Sequence, residues 1–102
     1  MTTEKGVKLD TGKNRLGLVF KGFALPLLEV GKIGTFGANK YTDDGWQTVE
    51  NAQERYTDAL FRHLFAHFNG EIIDPESNLM HLAHVAWNAL AILYFELKKE
   101  SR

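Results

Sequence analysis

The stretch Leu79-Met80-His81-Leu82-Ala83-His84-Val85-Ala86-Trp87-Asn88-Ala89-Leu90-Ala91-Ile92-Leu93-Tyr94-Phe95-Glu96-Leu97 decides the fold. It is too long and too rich in Ala and Leu for a strand, and it carries apolar residues on nearly every side of a 3.6-residue period. A helix apolar all round is a buried helix. Upstream, Asp74-Pro75 offers a cap and a first-turn proline, so the spacing predicts a helix from there to about Lys99. In a chain of 102 residues, burial on all sides implies a second subunit. A chain of this size buries only about 60–65% of its unfolded surface, which points the same way.

A second helix is read over Asn51–Phe68. Asn51 and Glu54 have capping-box spacing, and Leu60, Phe61, Leu64, Phe65 and Phe68 supply its buried face. Asn69-Gly70 ends it. A third begins near Pro26 with Leu27, Leu28, Val30 and Ile33 on one face and Gly31, Gly34 and Gly37 along another. Each helical glycine costs up to ~1 kcal/mol, so tertiary contacts hold that helix or something approaches its backbone closely. Thr42–Gly45 reads as a turn. Residues 1–22, rich in Gly, Lys, Asp and Thr, read as an irregular N-terminal arm, and residues 23–102 as the helical domain. The expected class is all-α, with three main helices, no sheet, and a small bundle completed by oligomerisation.

Composition excludes several functions. Lys plus Arg number 12 against 13 Asp plus Glu, a net charge of -1, so bulk-charge binding of nucleic acid is not expected. Without cysteine there is no disulfide, thiol catalysis or Cys-based zinc site. The longest apolar run, Ala89–Phe95, is far short of a membrane span, and the polar Met1–Lys13 predicts no signal peptide. A cytoplasmic protein is the expectation.

Three groups of residues carry possible chemistry. His81, His84 and Asn88 fall at i, i+3 and i+7, one polar stripe in the apolar helix. Buried together they need partners, since each unpaired group costs roughly 1–3 kcal/mol, and either a register-fixing polar ladder or a ligand site satisfies that. Arg55, Asp58 and Arg62 repeat the spacing on the preceding helix, turned away from the phenylalanines, with His63 and His67 beside the apolar side. His67 reads as structural, and Asp58 with Arg62 also suits a surface ion pair. Between the helices, Glu71, Asp74 and Glu76 place three carboxylates in six residues. They either complement the next helix or hold Mg²⁺ or Mn²⁺. A further set gathers cations and rings: Lys13, Arg15, Lys40, Tyr41 and Trp46. Such residues neutralise phosphate and stack a base.

Gly12-Lys13-x-Arg15, Gly37-Ala38-x-Lys40-Tyr41 with Trp46, Asp58-x-x-x-Arg62-His63-Leu64, Gly70-Glu71, Asp74-Pro75-Glu76-Ser77, His81-Leu82-Ala83-His84 and Trp87-Asn88 together resemble a known family. The pattern, from about residue 8 to residue 97, is similar to the N-terminal domain of phage and bacterial dATP/dGTP diphosphohydrolases. That resemblance implies hydrolysis of purine deoxynucleoside triphosphates to monophosphate and pyrophosphate in phage nucleotide metabolism. Its layout is similar to the MazG-like pyrophosphohydrolases, whose bundles cross subunits and hold Mg²⁺ with Glu-x-x-Glu and Glu-x-x-Asp pairs. Here the corresponding stretch reads His81-Leu82-Ala83-His84, so that carboxylate set does not transfer. Position 78 is Asn where members often carry Gly, a mild change because Asn tolerates left-handed backbone.

The expected metal ligands are drawn from Asp58, Glu71, Asp74, Glu76, His81 and His84, with His81, His84, Asp58 and Glu71 as catalytic candidates. Such a mixed His/carboxylate set favours Mn²⁺ over Mg²⁺. Lys13, Arg15, Lys40 and Arg62 are expected at the phosphates and Tyr41 and Trp46 at the base, with His63 and Asn88 also facing the substrate. The alternative is a phage protein that sequesters a nucleotide or a nucleotide-derived immune signal without turnover.

Overall fold

The computed structural model describes residues 5–100. Helices α1 (Leu16–Gly22) and α2 (Ala24–Lys40) are followed by a short 3₁₀ helix, Gly45–Thr48. Then come α3 (Ala52–Phe68), a two-stranded ladder of β1 (Ile73–Asp74) with β2 (Leu79–Met80), and α4 (His81–Glu100). The all-α class holds, with two corrections. The stretch read as an irregular arm is helical over Leu16–Gly22, and a small antiparallel ladder exists, with Ile73 opposite Met80 and Asp74 opposite Leu79. Among the described residues no helix is long and apolar enough to cross a membrane.

The helix read from Asp74-Pro75 starts later, at His81. Asp74 turns its carboxylate inward, accepting from the Glu76 N–H at 3.1 Å and the Ser77 hydroxyl at 3.2 Å. That closes a local turn instead of a helix, as short polar side chains do. Asn78 then takes left-handed backbone (φ 60°), its N–H bonded to the Asp74 carbonyl at 2.8 Å. The His81 N–H donates to the Ile72 carbonyl at 3.0 Å, tying the start of α4 to the hairpin. At α3 the capping box is absent: Asn51 is itself left-handed (φ 55°) and makes no side-chain cap bond.

α3 and α4 pack antiparallel. Gln53 donates to Glu96 at 2.9 Å, Tyr56 stacks on Phe95 (6.1 Å), and His63 stacks on His84 (4.2 Å). α2 lies against α4, with Phe36 edge-on to His84 (6.4 Å). A Cβ on Gly34 would stand 3.6 Å from the Trp87 indole nitrogen, so this glycine lets a large ring approach the α2 backbone. Trp46, Trp87, Tyr94 and Phe95 form an aromatic cluster with ring spacings of 4.9–6.0 Å. The Tyr56 hydroxyl pins the 3₁₀ helix to it by donating to the Trp46 carbonyl at 2.7 Å.

Burial in the single chain corrects the expected face of α3 and leaves one side of α4 uncovered. The phenylalanine face of α3 points outward, with Phe61 at 51%, Phe65 at 67% and Phe68 at 76% exposure. α4 is buried on one side only: Ala83, His84, Asn88 and Ala91 are covered, while Leu82, Leu90, Leu93 and Leu97 are exposed in the single chain.

Candidate functional site

The polar stripe of α4 faces inward. His81, His84 and Asn88 are each at most 8% exposed, and Asp74 on β1 is 9% exposed. α3 adds His63, whose ring lies parallel to that of His84. His63, Asp74 and His84 each offer one ligand atom, and these atoms all lie within 4.8 Å of one another. Two imidazoles and one carboxylate, at that separation, suit a transition-metal ion better than Mg²⁺. The α3 contribution was not visible as a ligand in the sequence, because helical spacing relates residues within one helix and says nothing about which turn of a neighbour lies opposite.

Hydrogen bonds fix these groups. Ser77 Oγ sits 2.7 Å from His84 Nε2, donates to Asp74 Oδ2, and accepts the Leu79 N–H at 3.2 Å. His84 Nε2 and Asp74 Oδ2 are 3.3 Å apart. The Asn88 amide donates to the His84 carbonyl at 2.8 Å, holding the helix backbone beside the ring. Ser77 acts as the joint between ladder and helix, a role its place in the Asp-Pro-Glu-Ser block did not reveal.

His81 lies just outside the cluster. Its Nε2 is 2.7 Å from Glu71 Oε1, and its Nδ1 is 2.8 Å from His63 Nδ1. Two Nδ1–H groups cannot face each other at that distance, so one donates and the other accepts. In the tautomer whose Nε2–H donates to Glu71, His81 Nδ1 accepts from His63 Nδ1–H. His63 Nε2 is then left with its lone pair. A chain of this kind fixes the orientation and tautomer of a metal-binding imidazole.

Burial, reinforced by the neighbouring His84, pushes the His63 pKa down from 6.5 to about 4. Burial also lowers His84, against the opposing pull of Asp74. Both rings are therefore neutral at pH 7, the form that binds a cation. Burial pushes the Asp74 carboxyl up, but the Glu76 N–H and Ser77 hydroxyl outweigh it and keep it below its usual value. The donor set thus fits a divalent ion.

The cluster opens into a cleft of about 1020 Å³ between α2, the 3₁₀ helix, α3 and α4. One wall carries Arg55, Asp58 and Arg62 from α3, the other Gly34, Gly37 and Lys40 from α2, and Tyr41, Trp46 and Asn88 also line it. Asp58 lines the cleft but lies outside the His63–Asp74–His84 cluster, Glu71 and His81 pair with each other, and Glu76 is bound to Lys40 at 3.0 Å. Trp46 is packed in the aromatic cluster, which leaves it less free to stack on a base than Tyr41, 71% exposed. Lys13 and Arg15 are exposed and lie ahead of α1, away from the cleft lining.

This chain matches the family model described as dATP/dGTP diphosphohydrolase, N-terminal, over residues 3–102. The chain belongs to that family. A Salmonella phage PMBT28 protein named dATP/dGTP diphosphohydrolase is 33% identical over 89 residues, covering 87% of this chain. The match spans 29% of that relative's length. No solved structure matches the chain significantly.

Proposed function

We propose that the cleft binds a purine deoxynucleoside triphosphate and hydrolyses it to monophosphate and pyrophosphate in the cytoplasm of a phage-infected cell. The observation that carries this is the convergence of His63, Asp74 and His84 at a cleft whose α3 wall presents Arg55 and Arg62. The family and the phage relative's name support the same substrate class.

His63, Asp74 and His84 would hold a divalent ion, with Mn²⁺ favoured over Mg²⁺. When bound, such an ion neutralises phosphate charge and lowers the pKa of water. The rest falls to the chain's own side chains. Arg55 and Arg62 stand one above the other on the α3 wall and receive the triphosphate oxygens, with Lys40 opposite. Gly34 and Gly37 leave the α2 backbone open to the ligand, and Tyr41 offers a ring face at the rim. The Glu71–His81–His63 chain holds the imidazole in place and leads from the cluster to the exposed Glu71 carboxylate.

Incubation with dATP or dGTP and Mn²⁺ tests the proposal. Pyrophosphate release by the intact chain, lost in His84→Ala, is the expected result; no release with any divalent ion would defeat it. One observation favours a binding-only reading: Asp74 is the sole carboxylate in the cluster, and the nearby Glu71 is engaged with His81. Under that reading, nucleotide recovered from the complex is chemically unchanged.

A further inference from the structure

The cations that line the cleft are not equivalent. Arg55 and Arg62 on α3 form no ion pair among the described residues, although Asp58 stands on the same wall. Arg55 donates only to the Glu50 carbonyl, at 3.4 Å. Lys40, in the last turn of α2, is held from several sides. Its Nζ donates to Glu76 Oε1 at 3.0 Å, and it lies 5.2 Å from the centre of the Tyr41 ring and 5.9 Å from that of Phe36. Glu76 is placed from the other bank of the cleft. Its N–H donates to Asp74 Oδ1 at 3.1 Å, within the turn that joins β1 to β2. The pair therefore links the end of α2 to the ladder turn, beside the cluster of His63, Asp74 and His84.

A carboxylate on Lys40 takes the place that a phosphate oxygen would take, since both are anionic oxygens accepting from the same ammonium. We infer that Glu76 is an internal competitor for the polyphosphate: it occupies Lys40 while the cleft is empty, a triphosphate displaces it, and it returns to Lys40 as the cleaved chain leaves. This role rests on the reading of the cleft as a triphosphate site and names the group against which that ligand competes. The exchange costs little, because the two side chains are 41% and 65% exposed and ion pairs in water are weak. A triphosphate also carries several negative charges and is gripped by Arg55 and Arg62 at the same time, so while intact it prevails. Free pyrophosphate is no longer anchored through a nucleoside. It meets a carboxylate tethered beside Lys40, whose effective concentration is fixed by the turn and does not fall as product diffuses away. Glu76 is not part of the His63–Asp74–His84 group, so its carboxylate is free to move between the two states without disturbing that cluster.

Calorimetric titration with Mn²⁺ and a dATP analogue bearing NH in place of the α,β-bridging oxygen tests this, since that bond is not cleaved. Glu76→Gln keeps the backbone bond to Asp74 and should bind the analogue roughly two- to five-fold tighter than the intact chain. Lys40→Met should bind it more weakly, and the gain from Glu76→Gln should vanish in that background. An equal gain with and without Lys40 would mean plain repulsion between Glu76 and the phosphates, and overturns the competitor role. Titrated alone, Mn²⁺ should bind Glu76→Gln and the intact chain equally; weaker binding by the variant would make Glu76 a ligand and overturns the role as well. Failure of the intact chain and the variants to bind the analogue at all would remove the triphosphate reading together with this one. Binding by the intact chain with no gain in Glu76→Gln removes the competitor alone.

Discussion

Glu71 touches no ligand atom of the proposed metal set, yet the geometry gives it influence there. It is more than half exposed and holds His81 at 2.7 Å, which in turn fixes Nδ1 of His63. Partners of metal ligands typically account for 10–100-fold in affinity. Glu71→Ala should therefore weaken Mn²⁺ binding, measured by calorimetric titration, by about that factor while circular dichroism stays unchanged. Unaltered affinity would mean that His63 is oriented by packing alone. The same ring gives the metal-free protein a pH dependence. Folding lowers His63 from 6.5 to about 4, and His84 shifts in the same direction. Between those values the unfolded chain binds more protons than the folded one, so stability rises with pH. It is fully present above pH 6.5 and lost as pH falls toward 4. Thermal melts with a chelator present should show a fall in melting temperature from pH 7 to pH 5, and His63→Gln should make that fall smaller. An equal fall in both proteins would place the acid sensitivity elsewhere.

Among the elements, the short ladder decides where the site forms, because it carries Asp74 and Ser77 to the first turns of α4. Its turn depends on left-handed backbone at Asn78, a conformation that costs most L residues roughly 1–2 kcal/mol. Asn78→Gly should be neutral or stabilising, and Asn78→Val should lose ~1–2 kcal/mol in denaturant unfolding and loosen the metal site with it. Equal stability of the two variants would remove the turn from this account. The residue pattern showed α3 to within one position at its start, since Asn51 does precede a regular apolar period. The start of α4 was misplaced because Asp74-Pro75 looks like a cap and first turn when read locally. The Asp74 carboxylate is in fact spent on Ser77 and His84, and His84 lies ten residues on. The His81–His84–Asn88 stripe was legible as a site for a physical reason: polar groups in an apolar helix must find partners. Its neighbour His63 on α3 depends on tertiary register, which no single-helix period contains.

At the scale of the whole molecule, the outward phenylalanines and leucines show what an apolar period leaves open. It names the face that avoids water without naming what covers it. For α4 the second subunit expected from its sequence would be the cover, and a fold completed in that way depends on concentration. A chain whose covered apolar residues, among those described, are one isoleucine and three alanines has too little interior to be stable alone by more than a small margin. Dissociation and unfolding should then occur together, and mass action adds ~1.4 kcal/mol per mole of dimer for each tenfold rise in protein concentration. Over two chains, with an unfolding entropy of about 2.1 cal/mol/K per residue, that energy raises the melting temperature by roughly 3 °C. Calorimetric scans across two decades of concentration should show such a trend. With Leu90→Glu and Leu93→Glu, both positions exposed in the single chain, the trend should disappear and the melting temperature should lie lower. A melting temperature that does not move with concentration in the unsubstituted chain would mean that α3, α4 and the half-buried aromatic cluster of Trp46, Trp87 and Tyr94 suffice to hold one copy together.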